Sequence, residues 1–185
     1  MAEVALFLAE GFEEIEVSTP ICFLRHMAIG LDVVSVTGNL KVTGAHGLSV
    51  VADMLLEDVD LSMTKMLILP GGVPGAENLS ANKVLGDYVR TFVEEGKYVA
   101  AICAGPMVLG KRGLLKGKKI VCYPGFEKLM DGAEVLEGQS VVRDGNIITA
   151  NGPASAMRFS YEIAKTLRNE KEAREMANGM MVNYF

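Results

Sequence analysis

Cys103 is the residue of this sequence that is best placed to do chemistry. It follows an apolar run, 98–102, that predicts a buried strand, and a helical pattern begins just after Gly105 and Pro106. Because proline is accepted in the first turn of a helix but not in its interior, the chain must pass from strand to helix within a few residues. This is the layout of a nucleophile elbow, which holds a reactive side chain above the carboxyl end of a strand. The small residue Ala104 leaves room around the sulfur, and the N–H groups of the helix start favour its thiolate form.

The three cysteines also allow a second interpretation. Free cysteine is among the most buried residue types, so the sequence spacing around Cys103 also fits an inert core residue. Only the position of Cys103 on the bend favours a reactive thiol. Cys22 and Cys122 lie in apolar helix and strand patterns, and we expect both to be buried and inert. An odd number of cysteines without zinc-type spacing predicts no disulfide framework and no metal site, and no motif indicates a cofactor.

Composition restricts the class of protein. The chain has 185 residues, of which 50% are hydrophobic and 22% charged, and this predicts one globular domain over residues 1–185. The net charge of −5 argues against binding to nucleic acid. No apolar run is long enough for a membrane span, and the N-terminal run lacks the basic flank of a signal peptide, so we expect a cytoplasmic protein.

Strand and helix patterns alternate along most of the chain. This alternation predicts an α/β sandwich with a largely parallel central sheet, whose ligands bind at the carboxyl ends of the strands. A helix is predicted from Glu13, with a kink or a restart at Pro20. This first helix and the apolar tail, 180–185, are candidate dimer surfaces. A later strand is predicted over 119–123. The segments that follow strands, and should meet at one edge of the sheet, are 11–13, 70–72, Cys103 and 123–124.

Five motifs together resemble the ThiJ/PfpI family, and most closely its DJ-one branch, over nearly the whole chain. They occur in the order and spacing of that family, and they are Glu13–Glu16, Leu69–Gly72, Gly75–Leu79, Ala100–Pro106 and Asn151–Pro153. The resemblance implies a flavodoxin-like three-layer sandwich that forms a homodimer.

The resemblance also implies the residues of the site. By motif, Cys103 is the nucleophile, Glu16 is an acid from the first helix, and Gly71 and Gly72 supply backbone N–H groups. The activities of the branch include cofactor-free conversion of methylglyoxal to lactate, repair of glycated amino acids and proteins, chaperoning, and stress sensing through cysteine sulfinate. More distant relatives are peptidases. The implied partners are a small carbonyl compound or a glycated adduct and a second copy of the chain, with no nucleic acid and no membrane.

Two positions depart from the family pattern. Peptidase-like members have a histidine directly after the cysteine, where this chain has Ala104, and this argues against peptidase activity. In the DJ-one branch a histidine often precedes the proline after the elbow helix, where this chain has Tyr123. Of the two histidines, His46 is the better candidate to reach the site across a dimer interface, and His26 fits a structural role. The candidate supporting residues are therefore Tyr123, Pro124, His46, Asn151 and Gly152.

Glu16 decides which chemistry is open to Cys103. A carboxylate beside a thiol raises the pKa of that thiol, so the pair is productive only if Glu16 is protonated and donates a hydrogen bond to the sulfur. The alternative is that Glu13, Glu14 and Glu16 only complement the dipole of a helix start. Helical spacing places Glu13 and Glu16 on one side and turns Glu14 away.

Two functions follow from a reactive Cys103. In the first, the thiolate adds to a 2-oxoaldehyde, N–H groups of Gly71, Gly72 and Ala104 stabilise the oxyanion, and Glu16 moves the protons. The protein is then a slow glyoxalase or deglycase. In the second, Cys103 is oxidised to a sulfinate, and the protein is a stress sensor or chaperone without turnover.

Overall fold

Eleven strands and six helices form the part of the chain, residues 2–182, that this computed structural model describes. The strands are β1 (Val4–Leu8), β2 (Leu31–Ser35), β3 (Lys41–Thr43), β4 (Ser49–Val51), β5 (Met54–Leu55), β6 (Met66–Leu69), β7 (Tyr98–Ile102), β8 (Lys119–Ile120), β9 (Glu134–Val135), β10 (Val141–Asp144) and β11 (Ile147–Ala150). The helices are α1 (Glu14–His26), α2 (Gly75–Ala81), α3 (Lys83–Glu94), α4 (Met107–Gly110), α5 (Ala156–Leu167) and α6 (Glu170–Gly179).

Seven of the strands form the central sheet, in the order β10–β11–β7–β6–β1–β2–β5. Neighbouring strands run parallel except β10 and β11, which form a hairpin. Every residue of β1 and β6 is buried, as is typical of parallel strands whose two faces are both covered. The prediction of an α/β sandwich with a mostly parallel sheet is confirmed.

The helices cover the sheet in two groups. α1 packs against α5 and α5 against α6, whereas α2, α3 and α4 pack against one another. In α3 the inner side buries Leu85, Val89 and Phe92, which recur at helical spacing. The N-terminus of α3 is capped by Asn82, whose Oδ1 accepts a hydrogen bond of 3.0 Å from the N–H of Leu85. Sequence periodicity thus accounts for the face that this helix presents to the sheet.

The strands β1, β6 and β7 lie in the middle of the sheet, and the chain leaves all three at the same edge. β1 leads towards α1, β6 leads to Gly71 and Gly72, and β7 leads to Cys103. β2 lies on one side of β1 and β6 on the other, so the connections diverge here and leave a crevice above the strand ends. The first helix, the double glycine and the cysteine therefore meet, as their places after predicted strands indicated.

Two elements differ from the sequence-based expectation. The helix α2 was not predicted, because Gly75 and Pro74 at its start have low helical propensity. The strand predicted over 119–123 is confined to β8, which pairs with β9 outside the central sheet. The backbone of 121–123 bonds elsewhere: the N–H of Val121 donates to Thr149 Oγ1, and that of Tyr123 donates to the carbonyl of Cys103.

Three further expectations concern α1 and the chain end. The helix does not restart at Pro20 but continues to His26, because Val17 and Phe23 on either side bury one continuous face. Cys22 is exposed on this helix, so the prediction that it is buried was wrong, whereas Cys122 is buried as expected. Residues 183–185 of the apolar tail lie outside the described residues. Within residues 2–182, no helix combines the length and the apolar character that crossing a bilayer demands.

Candidate active site

Cys103 occupies the bend between β7 and α4. Its φ of 63° lies in the left-handed region, which non-glycine residues seldom adopt. The turn closes through a hydrogen bond of 2.8 Å from the N–H of Gly105 to the carbonyl of Ile102. A Cβ atom at position 105 would overlap the carbonyl oxygen of Leu69, so glycine is required there. This is the geometry of the nucleophile elbow that the sequence predicts.

Backbone hydrogen bonds hold Cys103 in this unusual conformation. Its N–H donates to the carbonyl of Ala150 over 2.8 Å, and its carbonyl accepts the N–H of Tyr123 over 2.9 Å. Only 8% of the residue is exposed, so the thiol is largely shielded from solvent. A strained backbone that neighbouring segments fix on both sides is a recurrent property of active-site residues.

Glu16 reaches the cysteine from the first turn of α1. The residue is fully buried, and its Oε2 accepts a hydrogen bond of 2.7 Å from the N–H of Gly71. A Cβ atom at position 71 would lie 2.7 Å from both Cys103 Cβ and Glu16 Oε2. Gly71 therefore provides both the anchor for the carboxyl group and the space in which it approaches the cysteine. The other oxygen, Oε1, is buried and has no hydrogen-bond partner among residues 2–182.

Glu16 and Cys103 are coupled in their protonation. Burial raises the pKa of Glu16 to about 7, and the negative charge of Glu13 adds to this, while hydrogen bonds to Gly71 and Cys103 oppose it. Burial and then the Glu16 carboxylate raise the pKa of Cys103 to about 12, against the N–H groups of Ala104 and Gly72. The pair thus holds one proton between about pH 7 and pH 12 and two protons at lower pH. The sequence suggested that the N–H groups of the helix start make the thiol acidic. In the structure, burial raises the pKa of Cys103 by more than these groups lower it.

Two backbone N–H groups face the sulfur, those of Gly72 and Ala104. Gly72 has a φ of 88°, and a Cβ atom there would overlap the backbone N of Glu13, so only glycine fits. The N–H of Gly71, which we also expected to serve as an oxyanion donor, is engaged by Glu16 instead. Gly72 and Ala104 are therefore the two backbone donors beside the sulfur.

Several known proteins are similar to this chain in sequence and in fold. Residues 2–166 match the DJ-1/PfpI family. The chain belongs to the DJ-1/PfpI family. Protein dj-1beta of Drosophila melanogaster is 33% identical over 186 residues and covers 100% of both chains. The structure titled "Toxoplasma gondii DJ-1, oxidized" superposes with a TM-score of 0.93 at 34% identity over 100% of both chains. A Bacillus subtilis relative, 32% identical over 167 residues (90% of this chain and 98% of that one), carries a provisional name as a cysteine protease.

Within this DJ-1/PfpI fold, Tyr123 stands beside the elbow but is tied to it only through its backbone. Its side chain is 45% exposed and packs edge-to-face with Phe126, with 6.4 Å between ring centroids. A Cβ atom at position 152 would lie 3.3 Å from the ring, so Gly152 lets the tyrosine lie flat there. The other two candidate supporting residues, Pro124 and Asn151, line a neighbouring cleft of about 370 Å³.

His46 does not approach Cys103 in this chain. Its Nδ1 lies 2.8 Å from Glu14 Oε2 and 3.7 Å from Glu13 Oε2, and its backbone N–H donates to Glu14 Oε1 over 2.7 Å. His26 Nδ1 donates to the carbonyl of Cys22 near the end of α1. Within residues 2–182, neither histidine is joined to Cys103 by a hydrogen bond. Sequence reasoning had turned Glu14 away from the site, and it missed this contact with the 44–48 loop.

Proposed function

We propose that the protein is a cysteine-dependent, cofactor-free enzyme that acts on 2-oxoaldehydes such as methylglyoxal or on their adducts. The observation that carries the proposal is the buried Cys103–Glu16 pair, which shares one proton beside the free N–H groups of Gly72 and Ala104. Thiolate addition to a carbonyl requires these three parts: a nucleophile, a proton donor and an oxyanion site.

The reactive form of the pair carries its proton on Glu16. Within residues 2–182 the buried Oε1 of Glu16 receives no hydrogen bond, so a negative charge there has no stabilising partner and the carboxyl group favours its neutral form. The sulfur in turn receives the N–H groups of Ala104 and Gly72, which favour its charged form. A neutral Glu16 also removes the repulsion that otherwise raises the pKa of Cys103.

The reaction proceeds by an internal transfer of hydrogen. The Cys103 thiolate adds to the aldehyde carbon, the new oxyanion is held by the N–H groups of Gly72 and Ala104, and Glu16 protonates it. The Glu16 carboxylate then removes the proton on the former aldehyde carbon, which gives an enediolate. Glu16 returns that proton to the neighbouring carbon, and the hydroxyl proton passes from the former aldehyde oxygen to the neighbouring oxygen, which forms a 2-hydroxy thioester. Water then releases the 2-hydroxy acid and the thiol. No external oxidant or reductant is needed, because one carbon is oxidised and its neighbour reduced.

A second copy of the chain and a reducing compartment complete the proposal. Exposed apolar residues on α1 and on the hairpin of β3 and β4, among them Ile15, Leu48 and Val51, offer a surface for a homodimer. All three cysteines are free thiols, which is typical of the cytoplasm.

Oxidative sensing through Cys103 is the second candidate function. One observation favours it: the solved structure of the Toxoplasma gondii relative is titled as an oxidised form. In this chain a neutral Glu16 would donate a hydrogen bond to a sulfinate oxygen and so stabilise that oxidation state. Peptidase activity has the least support, because Ala104 replaces the adjacent histidine and no imidazole is joined to Cys103 within residues 2–182.

Lactate formation from methylglyoxal tests the proposal. We expect turnover by the native protein and none by Cys103→Ser, since the hydroxyl is a much weaker nucleophile at neutral pH. Native rates in Cys103→Ser would end the mechanism. If neither protein turns over, the intact mass after graded peroxide tests the sensor, with the exposed Cys22 replaced by serine in both proteins. The mass should rise by two oxygens where Cys103 is present and remain unchanged in Cys103→Ser.

A further inference from the structure

A cluster of three metal-ligand side chains lies where the start of α1 meets the 44–48 loop. Glu13, Glu14 and His46 each offer a ligand atom, and these atoms all lie within 4.8 Å of one another. His46 Nδ1 lies 2.8 Å from Glu14 Oε2 and 3.7 Å from Glu13 Oε2. Atoms that bind one metal ion at about 2.0–2.2 Å lie about 3–4 Å apart, so the 3.7 Å separation suits a common ion and the 2.8 Å hydrogen bond need open only slightly.

We propose that Glu13, Glu14 and His46 form a binding site for a divalent transition-metal ion of the Zn²⁺ type. An imidazole with two carboxylates suits borderline ions such as Zn²⁺, whereas Mg²⁺ and Ca²⁺ prefer oxygen ligands alone. The site lacks a spacing motif because the glutamates and the histidine are more than thirty residues apart in sequence and meet only in the fold.

The carboxylates are held in place before any ion arrives. Glu14 Oε1 accepts the backbone N–H of His46 over 2.7 Å, which leaves Oε2 directed at the imidazole. A Cβ atom at position 44 would lie 2.5 Å from Glu14 Oε1, so Gly44 allows the loop to close on the carboxyl group. Glu13 is fixed through its backbone N–H, which donates to the carbonyl of Gly71 over 3.1 Å. Such preorganisation lowers the entropy that an ion must overcome on binding.

The charge balance of the cluster favours a cation. Glu13 and Glu14 bring two carboxylates to one exposed imidazole, and a divalent ion bound among the three groups neutralises both carboxylates.

The open side of the cluster leaves room for further ligands. The His46 side chain is 69% exposed, so water or a small anion can complete the coordination of an ion held by three protein groups.

Calorimetric titration with ZnCl₂ tests the site. The full chain carries Cys22→Ser and Cys103→Ser, because exposed or reactive thiols would bind Zn²⁺ themselves. We expect one saturable site with about one ion bound per chain. His46→Gln should weaken binding by at least about tenfold, and Glu13→Gln and Glu14→Gln should do the same.

The second histidine provides the matched control. His26→Gln removes the other imidazole, one turn after Cys22, and should leave the affinity unchanged. Because His46 is mostly exposed, its substitution should not affect folding, which circular dichroism verifies. The absence of saturable binding, equal binding by His46→Gln, or loss of binding in His26→Gln would each overturn the proposal.

Discussion

The N–H of Gly71 lies 2.7 Å from Glu16 Oε2, and the missing side chain of the same glycine is what lets Glu16 reach Cys103. Gly71, in the loop that follows β6, therefore both binds Glu16 and leaves space for it. The proposed chemistry depends on this relationship, because Glu16 and Cys103 can share a proton only while they are in contact.

Gly71→Ala tests this arrangement. The added methyl group would lie 2.7 Å from both Cys103 Cβ and Glu16 Oε2, so one of them must move. We expect a loss of methylglyoxal turnover of at least about tenfold, with a cost in unfolding free energy of about 1–3 kcal/mol for overpacking. Gly30→Ala is the control, since its Cβ would make only ordinary contacts from 3.5 Å outwards. Unchanged kinetics in Gly71→Ala would show that turnover does not depend on this glycine.

Alkylation of Cys103 by iodoacetamide tests where the shared proton resides. In the native protein we expect the rate to be low at neutral pH and to keep rising above it, because burial and the Glu16 carboxylate raise the pKa of the Cys103 thiol. In Glu16→Gln the midpoint should fall, since the charge that raises the pKa of the thiol is gone. A rise of the midpoint in Glu16→Gln would mean that Glu16 rests neutral and donates a hydrogen bond to the thiolate.

Stability as a function of pH carries the signature of Glu16. Its pKa rises from 4.5 to about 7 on folding, so its contribution is complete below about 4.5 and is lost as the pH rises through 7. At about 1.4 kcal/mol for each tenfold change in proton affinity, the loss is about 3 kcal/mol. Urea unfolding of the native chain and of Glu16→Gln at about pH 4.5 and pH 8 measures it. From the lower to the higher pH, the unfolding free energy of the native chain should fall relative to that of Glu16→Gln by this amount. The same difference in unfolding free energy at both pH values would contradict a buried Glu16 that is neutral at the lower pH.

Tyr123→His should accelerate turnover of methylglyoxal. The backbone of Tyr123 is bonded to Cys103, so an imidazole at this position stands beside the elbow and supplies a base that titrates near neutral pH. We expect an increase of about tenfold, at the low end of what a positioned base contributes. Tyr123→Phe is the companion variant, and its rate should stay within about twofold of the native rate. If Tyr123→His is no faster than Tyr123→Phe, the missing histidine does not limit the rate.

The main lines of the fold and the position of the cysteine could be predicted from local patterns. Apolar runs alternating with helical periodicity predicted the parallel sheet, and the Gly105–Pro106 pair predicted the elbow at Cys103. Glu16 could not be chosen over Glu13 by helical spacing alone, since both lie on one side of α1, and only the family resemblance separated them.

The rest depended on contacts that no local pattern records. The α2 helix has a weak start at Gly75 and gains stability from its neighbours, including Arg112, which donates to the carbonyl of Ser80 over 2.9 Å. The contact of His46 with Glu14 joins residues 32 positions apart. Cys22 lies in an apolar stretch, but the exposed side of α1 includes it.

The adjacency of β1, β6 and β7 has a practical consequence for studies of folding. Glu16, Gly71 and Cys103 each follow a different central strand: Glu16 follows β1, Gly71 follows β6 and Cys103 follows β7. Misalignment of any one of these strands separates the three groups long before the secondary structure is lost. The alkylation rate of the Cys103 thiol therefore reports on strand register in the middle of the sheet. It should change at lower denaturant concentrations than the circular dichroism signal does.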